Sequence, residues 1–321
     1  MGRLALLSAL FVAACTSGPA LPRTETGGLW QDASIFVAVG QTMAAAHSRV
    51  LVEMYEFGRA DLALGLVEAR ARGADVRVVL DPTVPVTLVT GRRLAAAGVP
   101  VRYYPVDDHA LQIDHVKLLL GDDRAVVGGM NWGANSDRNH DYALLLRAPP
   151  ELRRLSRIFE QDWALAGGAP APLPPEQGPI TQTAPGNEVR RLLEATLGSA
   201  RTRIEAEVFD LADADVVLLL QSAHRRGVWV RVLLDPGQDV NRPSFALLRR
   251  ASTEVRWFVP PAGAKLHAKA VLADGVLVLG SANWSHHGLD VNHELDVTTV
   301  DPGAIAAYAA RFETDWRSAR E

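Results

Sequence analysis

An internal duplication constrains the fold of this 321-residue chain more than any other feature of its sequence. The segment 49–82 recurs as 203–236 with the same order of apolar, acidic and glycine positions, and the segment 159–163 recurs as 312–316. A repeat of about 150 residues is far longer than the units of solenoid proteins. The duplication therefore predicts two similar lobes that pack about a pseudo-two-fold axis.

Each repeat alternates β-rich and helical segments. Val76–Leu80 and Val228–Leu234 are typical of buried strands, and the segments 60–72 and 214–226 are typical of amphipathic helices that end at a glycine. This alternation predicts the α/β class. We expect two duplicated α/β/α lobes, with the active site between them. They span residues 30–165 and 186–321, and a Pro- and Gly-rich linker joins them over residues 166–185.

Composition limits the classes of partner. Hydrophobic residues make up 48% of the chain, enough for two ordinary cores. The formal net charge is −4, without the basic excess that is typical of nucleic-acid-binding proteins. Nucleic acid is therefore a possible but less favoured partner. The sequence shows no group of residues with the spacing of metal ligands, so we expect neither a metal nor another cofactor.

The N-terminus has the layout of an export signal, in which Arg3 precedes a short apolar run over residues 4–12. The following residues, Val-Ala-Ala-Cys15, resemble the lipobox of bacterial lipoproteins. This resemblance implies a signal peptide over 1–14, lipidation of Cys15 and a tether over 15–29. It also implies a lipid-anchored membrane protein of the bacterial cell envelope that faces the periplasm or the exterior. The alternative is an ordinary signal peptide with an incidental cysteine.

Each repeat carries the same polar motif. The first copy contains His115, Lys117, Asp122, Gly129 and Asn131, and the second contains His267, Lys269, Asp274, Ser281 and Asn283. The chain has only three lysines, and two of them occupy the same motif position, which indicates that a compact ammonium group is needed there.

The motif also predicts a geometry. Residues two apart on a strand face the same way, so each histidine is expected beside its lysine. The apolar runs 125–127 and 276–279 are predicted to return as the second strand of a hairpin, which brings the asparagine alongside. Across the axis these groups would form a cationic pocket with a histidine on either side. Such a pocket suits a phosphate group.

These residues resemble the phospholipase D superfamily and its His-x-Lys-x4-Asp motif, over residues from about 30 to 320. The resemblance implies a two-step reaction that needs no metal. One histidine attacks phosphorus and forms a phosphohistidine, while the other protonates the leaving alcohol. The second histidine then activates water or an acceptor alcohol.

The resemblance also implies roles for single residues. His115 and His267 would be the nucleophile and the general acid and base, with His115 favoured as the nucleophile. The expected phosphate-binding residues are Lys117, Lys269, Asn131, Asn283 and Ser281, with Gly129 at the position of Ser281 but without a hydroxyl. Asp122 and Asp274 would be structural. A carboxylate is expected behind each catalytic histidine, Asp141 for His115 and Glu294 for His267.

The expected function is that of a phospholipase D or a cardiolipin-synthase-like phosphatidyltransferase, which acts on phospholipids as a functional monomer. Two alternatives stay open: a nuclease of the same superfamily and a catalytically silent binding module. Hydrolysis and transfer share the phosphohistidine, so the sequence does not separate them. Four further repeated acids would either line the cleft or pair with arginines between the lobes. They are Glu53, Glu56, Glu207 and Asp210.

Overall fold

The structure is a computed structural model that describes residues 26–169, 178–183 and 187–321. The predicted signal peptide, the lipidation site at Cys15 and most of the predicted tether lie outside these residues. Among the helices of the described segments, none has both the length and the apolar character to cross a bilayer.

The two lobes have the same succession of elements. The first lobe contains β1 (Thr26–Gln31), α1 (Ser34–Ala45), β2 (Arg49–Met54), α2 (Ala60–Ala71), β3 (Asp75–Leu80), α3 (Pro85–Ala96), β4 (Val101–Tyr103), β5 (Lys117–Leu120), β6 (Ala125–Gly128), β7 (Tyr142–Leu146) and α4 (Pro149–Leu165). The second lobe contains β8 (Ile180–Gln182), α5 (Glu188–Ser199), β9 (Arg203–Val208), α6 (Ala214–Arg225), β10 (Trp229–Leu234), α7 (Asn241–Arg250), β11 (Glu254–Trp257), β12 (Lys269–Ala273), β13 (Val276–Gly280), β14 (Leu295–Thr299) and α8 (Pro302–Ser318).

Each lobe is built on a seven-stranded mixed sheet, and the two sheets have matching strand orders. These orders are β4-β3-β2-β5-β6-β7-β1 and β11-β10-β9-β12-β13-β14-β8. In both sheets the first three strands are parallel and the others antiparallel. The matching orders confirm the predicted duplication. They also place β5 and β12, which begin at the motif lysines, at the centre of their sheets.

Two edge strands lie in segments that we predicted to be irregular. β1 begins inside the predicted tether and β8 lies inside the predicted linker. They pair antiparallel with β7 and β14, for example through Leu29 with Leu144 and Ile180 with Val297. Each strand covers a sheet edge whose backbone groups would otherwise be unpaired. The sequence signal is weak because these strands are short and lie beside Gly- and Pro-rich residues.

Within the described segments, the buried apolar side chains form three cores. α1 to α3 cover the outer face of the first sheet, and α5 to α7 cover the outer face of the second. The central core lies between the sheets and contains α4 and α8 with their repeated residues Phe159 and Phe312. Each sheet therefore has helices on both faces, which confirms the predicted α/β/α lobes. The strands are buried on both faces, which accounts for their nearly unbroken apolar runs.

Repeated aspartates position the motif segments. Asp122 accepts the backbone N–H groups of residues 47–49, and Asp274 accepts those of residues 201–203. Both carboxylates thus tie the turn after the motif strand to the start of the neighbouring strand, as a structural role requires. Asp81 accepts the N–H of residue 114 at 2.8 Å, and Asp235 accepts that of residue 266 at 2.7 Å. These last two bonds hold the backbone directly before each motif histidine.

Candidate active site

The motif segment of each lobe forms a short backbone bridge with the other lobe. Asp114 pairs with His293, and His140 pairs with Leu266. The backbone N–H of His115 donates to the carbonyl of His293 at 2.8 Å, and that of His267 donates to the carbonyl of His140 at 2.8 Å. We call these two bridges the crossed seam. The crossed seam places the residue after His140 or His293 beside the motif histidine of the opposite lobe.

The carboxylates behind the two histidines are therefore exchanged relative to our expectation. His115 Nδ1 lies 2.9 Å from Glu294 Oε2, and His267 Nδ1 lies 2.7 Å from Asp141 Oδ2. The predicted pairing within each lobe is wrong, because the crossed seam delivers each carboxylate to the other lobe. A carboxylate at Nδ1 fixes the tautomer that carries its proton there, so the lone pair of the ring lies on Nε2. Nε2 of His267 also lies 3.3 Å from Lys269 Nζ.

Both motif histidines are buried and neutral. Burial holds the pKa of His115 well below its ordinary value, and Lys117 and Lys269 lower it further. Burial and Lys269 lower the pKa of His267 to about 3, although Asp141 opposes the shift. A neutral imidazole with a free Nε2 is the form that a nucleophile requires.

The two motif lysines have equivalent surroundings. Lys117 Nζ donates to the carbonyl of His115 at 2.5 Å, and Lys269 Nζ donates to that of His267 at 2.6 Å. Burial lowers the pKa of both ammonium groups, that of Lys117 to about 7. The histidines precede β5 and β12 rather than lying on them as predicted. Each lysine nevertheless stays next to its histidine.

The motif asparagines have open hydrogen-bonding groups. Asn131 Nδ2 donates to Glu56 at 3.1 Å, which leaves the second N–H of that amide for a ligand. The side-chain oxygens of Asn131 and Asn283 are buried and have no hydrogen-bond partner among the described residues. Of these open groups, the second N–H of Asn131 can donate to a phosphate oxygen, whereas the two amide oxygens can only accept hydrogen bonds.

Ser281 and Gly129 differ from the prediction that they bind phosphate. Ser281 is fully buried, and its hydroxyl donates to Glu294 Oε2 at 2.5 Å and accepts the N–H of Leu295 at 2.9 Å. The Gly129 N–H donates to the carbonyl of Tyr142 at 3.1 Å. Neither residue has a donor left for a phosphate oxygen. Ser281 instead supports the carboxylate behind His115.

Gly129 is required by the neighbouring carboxylate. A Cβ at this position would lie 2.5 Å from Asp141 Oδ1, closer than atoms can approach without displacement. Asp141 is the partner of His267, so a side chain at position 129 would disturb that histidine. The difference between Gly129 and Ser281 therefore follows from the two carboxylates they face.

Two aromatic residues that were not predicted as site residues contact the motif histidines. The ring of Tyr55 packs edge-on against His115 at 4.8 Å between centroids, and Phe209 packs against His267 at 4.8 Å. Each ring also lies near the motif lysine, Lys117 Nζ at 5.1 Å from Tyr55 and Lys269 Nζ at 4.8 Å from Phe209. The two aromatics occupy equivalent repeat positions, and that repetition was the signal that could have identified them.

Two duplicated α/β/α lobes, each with one His-x-Lys motif at a shared seam, define the phospholipase D-like class. The family model described as "Cardiolipin synthase, PLD-like domain" matches residues 39–163 and 193–316. The chain belongs to this family.

Individual relatives agree with this family. The chain is 32% identical over 127 residues to "Mitochondrial cardiolipin hydrolase" of Homo sapiens, which covers 39% of this chain and 50% of the human protein. It is 25% identical over 326 residues to "Probable cardiolipin synthase YwiE" of Bacillus subtilis (strain 168), which covers 89% of this chain and 65% of that protein. The chain thus spans about half the length of the human relative.

A solved structure shares the fold. The crystal structure of phosphatidylserine synthase from Haemophilus influenzae Rd KW20 matches with a TM-score of 0.72 and 12% sequence identity. The match covers 92% of this chain and 88% of that structure, so it includes both lobes.

Proposed function

We propose that this protein is a phosphodiesterase of the phospholipase D type, which hydrolyses or transfers the phosphatidyl groups of phospholipids. The observation that carries the proposal is the pair of crossed half-sites. Each half-site holds a buried neutral histidine whose Nδ1 is bound to a carboxylate of the other lobe. The two motif lysines supply positive charge where a phosphate would bind.

In the proposed reaction His115 Nε2 attacks phosphorus. A nitrogen–phosphorus bond forms, the bond to the leaving oxygen breaks, and His267 gives that oxygen a proton. His267 then takes a proton from water or an acceptor alcohol, whose oxygen attacks phosphorus and releases His115. The charge at phosphorus is balanced by Lys117 and Lys269, so this chemistry uses no metal ion.

His267 must be protonated to act as an acid, although its pKa in the free protein is about 3. Burial is the largest cause of this low pKa, and Lys269 and Lys117 lower it further. An anionic phosphodiester between the lysines would offset their charge and raise the pKa of the neighbouring imidazole. Substrate binding would thereby favour the protonated form of His267, which can act as the acid.

A phospholipid is favoured over nucleic acid as the substrate. The chain has a net charge of −4 and lacks the basic excess that a nucleic-acid surface needs. The names of the human and Bacillus relatives both refer to cardiolipin.

The substrate is tested by incubating the purified protein with vesicles of phosphatidylglycerol and cardiolipin, with and without ethanol, in parallel with a plasmid-nicking assay. We expect release of phosphatidic acid, formation of phosphatidylethanol when ethanol is present, and loss of both products in His115→Ala. Nicking that depends on His115 without any lipid turnover would establish the nuclease alternative. The absence of every product would support the binding module.

We further propose that Cys15 is lipidated and anchors the protein as a monomer in the bacterial cell envelope, facing the periplasm or the exterior. Several acyl chains together hold a protein firmly at a bilayer. One chain supplies both half-sites, so the proposed site needs no second copy. We expect the mature protein to enter the detergent phase and Cys15→Ala to abolish this. A fully water-soluble wild-type protein cut at another position would disprove the anchor.

A further inference from the structure

The two half-sites differ in a pair of repeated acids, Glu56 and Asp210. Each acid directly follows the aromatic residue that contacts the motif histidine of its half-site, Tyr55 or Phe209. Both acids are partly buried. They therefore lie next to equivalent parts of the two half-sites, but their side chains differ by one methylene group.

The backbone around the two acids is the same. The carbonyl of Glu56 accepts the N–H of Trp132 at 2.9 Å, and the carbonyl of Asp210 accepts the N–H of Trp284 at 2.9 Å. Each tryptophan directly follows a motif asparagine. Both acids thus have the same backbone register relative to their asparagine, and any difference in contact comes from the side chains.

Only the longer acid reaches its asparagine. Glu56 Oε2 accepts a hydrogen bond from Asn131 Nδ2 at 3.1 Å. Among the described residues, no hydrogen bond joins Asp210 to Asn283, and each of these two residues has a buried oxygen without a partner. An amide carries donors on its nitrogen and acceptors on its oxygen. The carboxylate of Glu56 therefore fixes the orientation of the Asn131 amide, whereas the amide of Asn283 has no such contact.

The space beside each acid matches its length. A Cβ at Gly133 would lie 2.8 Å from Glu56 Cδ, closer than atoms can approach without displacement. The repeat places Ser285 at the position of Gly133. The half with the longer acid thus has the glycine, and the half with the shorter acid has the larger neighbour.

The shorter acid has a different electrostatic effect. Burial lowers the pKa of Lys269, and Asp141 and Asp210 oppose this shift. The carboxylate of Asp210 thus supports the charge of the motif lysine, whereas the carboxylate of Glu56 holds an amide.

On the basis of the proposed function, we infer that Glu56 is a positioning residue that holds the Asn131 amide as a fixed donor to the phosphate, and that the second half-site has no equivalent. One N–H of Asn131 is bound to Glu56, so the position of the other N–H is also fixed. The amide of Asn283 must be ordered by the substrate itself, which costs part of the free energy of binding. Asn131 should therefore contribute more to anion binding than Asn283.

The test measures the Kd of sulfate for the full-length protein by calorimetry, which does not depend on turnover. Asn131→Ala should raise Kd about 10–100-fold, the size of a hydrogen bond to a charged group, and Asn283→Ala should raise it less. Glu56→Asp keeps the charge but not the reach, so we expect an increase of about tenfold. Glu56→Gln keeps an acceptor at the same length and should bind sulfate at least as tightly as the wild type.

Double-mutant cycles separate positioning from charge. In the Asn131→Ala background, Glu56→Asp should change Kd by less than about twofold, because the amide that it positions is absent. The matched cycle of Asp210→Asn with Asn283→Ala should be additive within about twofold, because no bond joins the pair. A purely electrostatic role of Glu56 predicts instead that Glu56→Asp binds like the wild type and that Glu56→Gln binds more tightly even without Asn131.

Three results would overturn the inference: no sulfate binding by the wild type, an unchanged Kd in Glu56→Asp, or an additive cycle between Glu56 and Asn131. If Glu56→Asp does not fold, Gly133→Ala takes its place, because the added Cβ displaces the same carboxylate. The kcat/KM of the same variants separates the two proposals. Coupled sulfate binding without turnover of any phosphodiester would reject the proposed function and support the role of Glu56, whereas turnover with additive effects would do the reverse.

Discussion

The two half-sites hold their histidines by the same bond but support that bond differently. Behind His115, Glu294 accepts hydrogen bonds from the Ser281 hydroxyl at 2.5 Å and from the Asn292 amide at 3.1 Å. Behind His267, the shorter Asp141 accepts the backbone N–H of Tyr142 at 2.8 Å. Duplication has thus preserved the contact between carboxylate and imidazole, while the groups that hold the carboxylate have diverged.

Burial also makes the carboxylate behind His115 easier to protonate. It raises the pKa of Glu294 to about 7, against the opposing effects of Lys117 and of the Ser281 and Asn292 hydrogen bonds. The half-site of His115 therefore changes its charge near neutral pH. Two half-sites with different electrostatics can perform different steps, and the following predictions test that difference.

The largest expected effect separates the two histidines. His115→Ala, without the proposed nucleophile, should lose at least about 10⁴-fold of activity on every substrate. His267→Ala should lose about 10²–10⁴-fold on an alkyl phosphodiester but far less on a p-nitrophenyl ester, whose leaving group needs little protonation. The measurement is kcat/KM on both substrates, with acid-quench trapping of phosphohistidine. Rescue of His115→Ala by the p-nitrophenyl ester would mean that the roles are reversed.

The crossed pairing gives the next largest effect. Glu294→Gln and Asp141→Asn preserve shape but no longer fix the tautomer of the imidazole, so each should lose about 10²–10⁴-fold in kcat. Glu294→Gln should share the substrate dependence of His115→Ala, although it lies in the other lobe. Asp141→Asn should likewise resemble His267→Ala. The measurement is kcat/KM of each variant on the same two substrates. Variants that instead resemble the histidine of their own lobe would contradict the crossed seam.

Substitutions at Gly129 and Ser281 should have an intermediate effect on activity. Gly129→Ser places a Cβ against Asp141, so we expect about a 10–100-fold loss of activity, the size found when a supporting contact is disturbed. Ser281→Ala, the matched variant, removes only a hydrogen bond to Glu294 and should cost about tenfold or less. Steady-state kinetics on an alkyl phosphodiester measures both. An active Gly129→Ser enzyme would show that Asp141 can move without cost.

The last predicted effect is on the pH dependence of anion binding. Sulfate keeps its charge between pH 6 and 8, so its inhibition of the enzyme reports the charge of the pocket. Lys117, with a pKa of about 7, loses its proton over this range, and Glu294 becomes negative. Both changes weaken anion binding, so the inhibition constant should rise at least about tenfold from pH 6 to pH 8. Lys117→Ala should reduce this slope, and an inhibition that strengthens with pH would contradict both assignments.

Local sequence patterns were sufficient to predict the two lobes and most residues of the candidate site. The repeat predicted two similar α/β lobes, and the His-x-Lys motifs identified the histidines and lysines of both half-sites. Both predictions depend on short continuous stretches of chain, such as the apolar runs of β3 and β10. The pattern of such a stretch is visible in the sequence itself. The short edge strands β1 and β8 were missed because three to six residues beside glycines and prolines carry little pattern.

The remaining features depend on contacts between distant segments. Nothing near Asp141 or Glu294 in the sequence shows that each carboxylate faces the opposite lobe, because this depends on the crossed seam. Ser281 looked like a phosphate ligand, although its hydroxyl is used by Glu294. The buried polar group of Glu53, Asp114, Asp162 and His293 was not predicted either, because its members lie far apart in the sequence. Spacing along the chain cannot reveal a group that only the packing of two lobes assembles.

The crossed seam has a consequence for the evolution of this protein. A change in one half of the gene that alters residue 141 or 294 acts on a histidine encoded in the other half. The halves therefore cannot diverge independently, and an exchange of one half between related genes must preserve the loop that reaches across. When two chains with defects in opposite halves are expressed together, we expect activity to return only if their intact halves can associate.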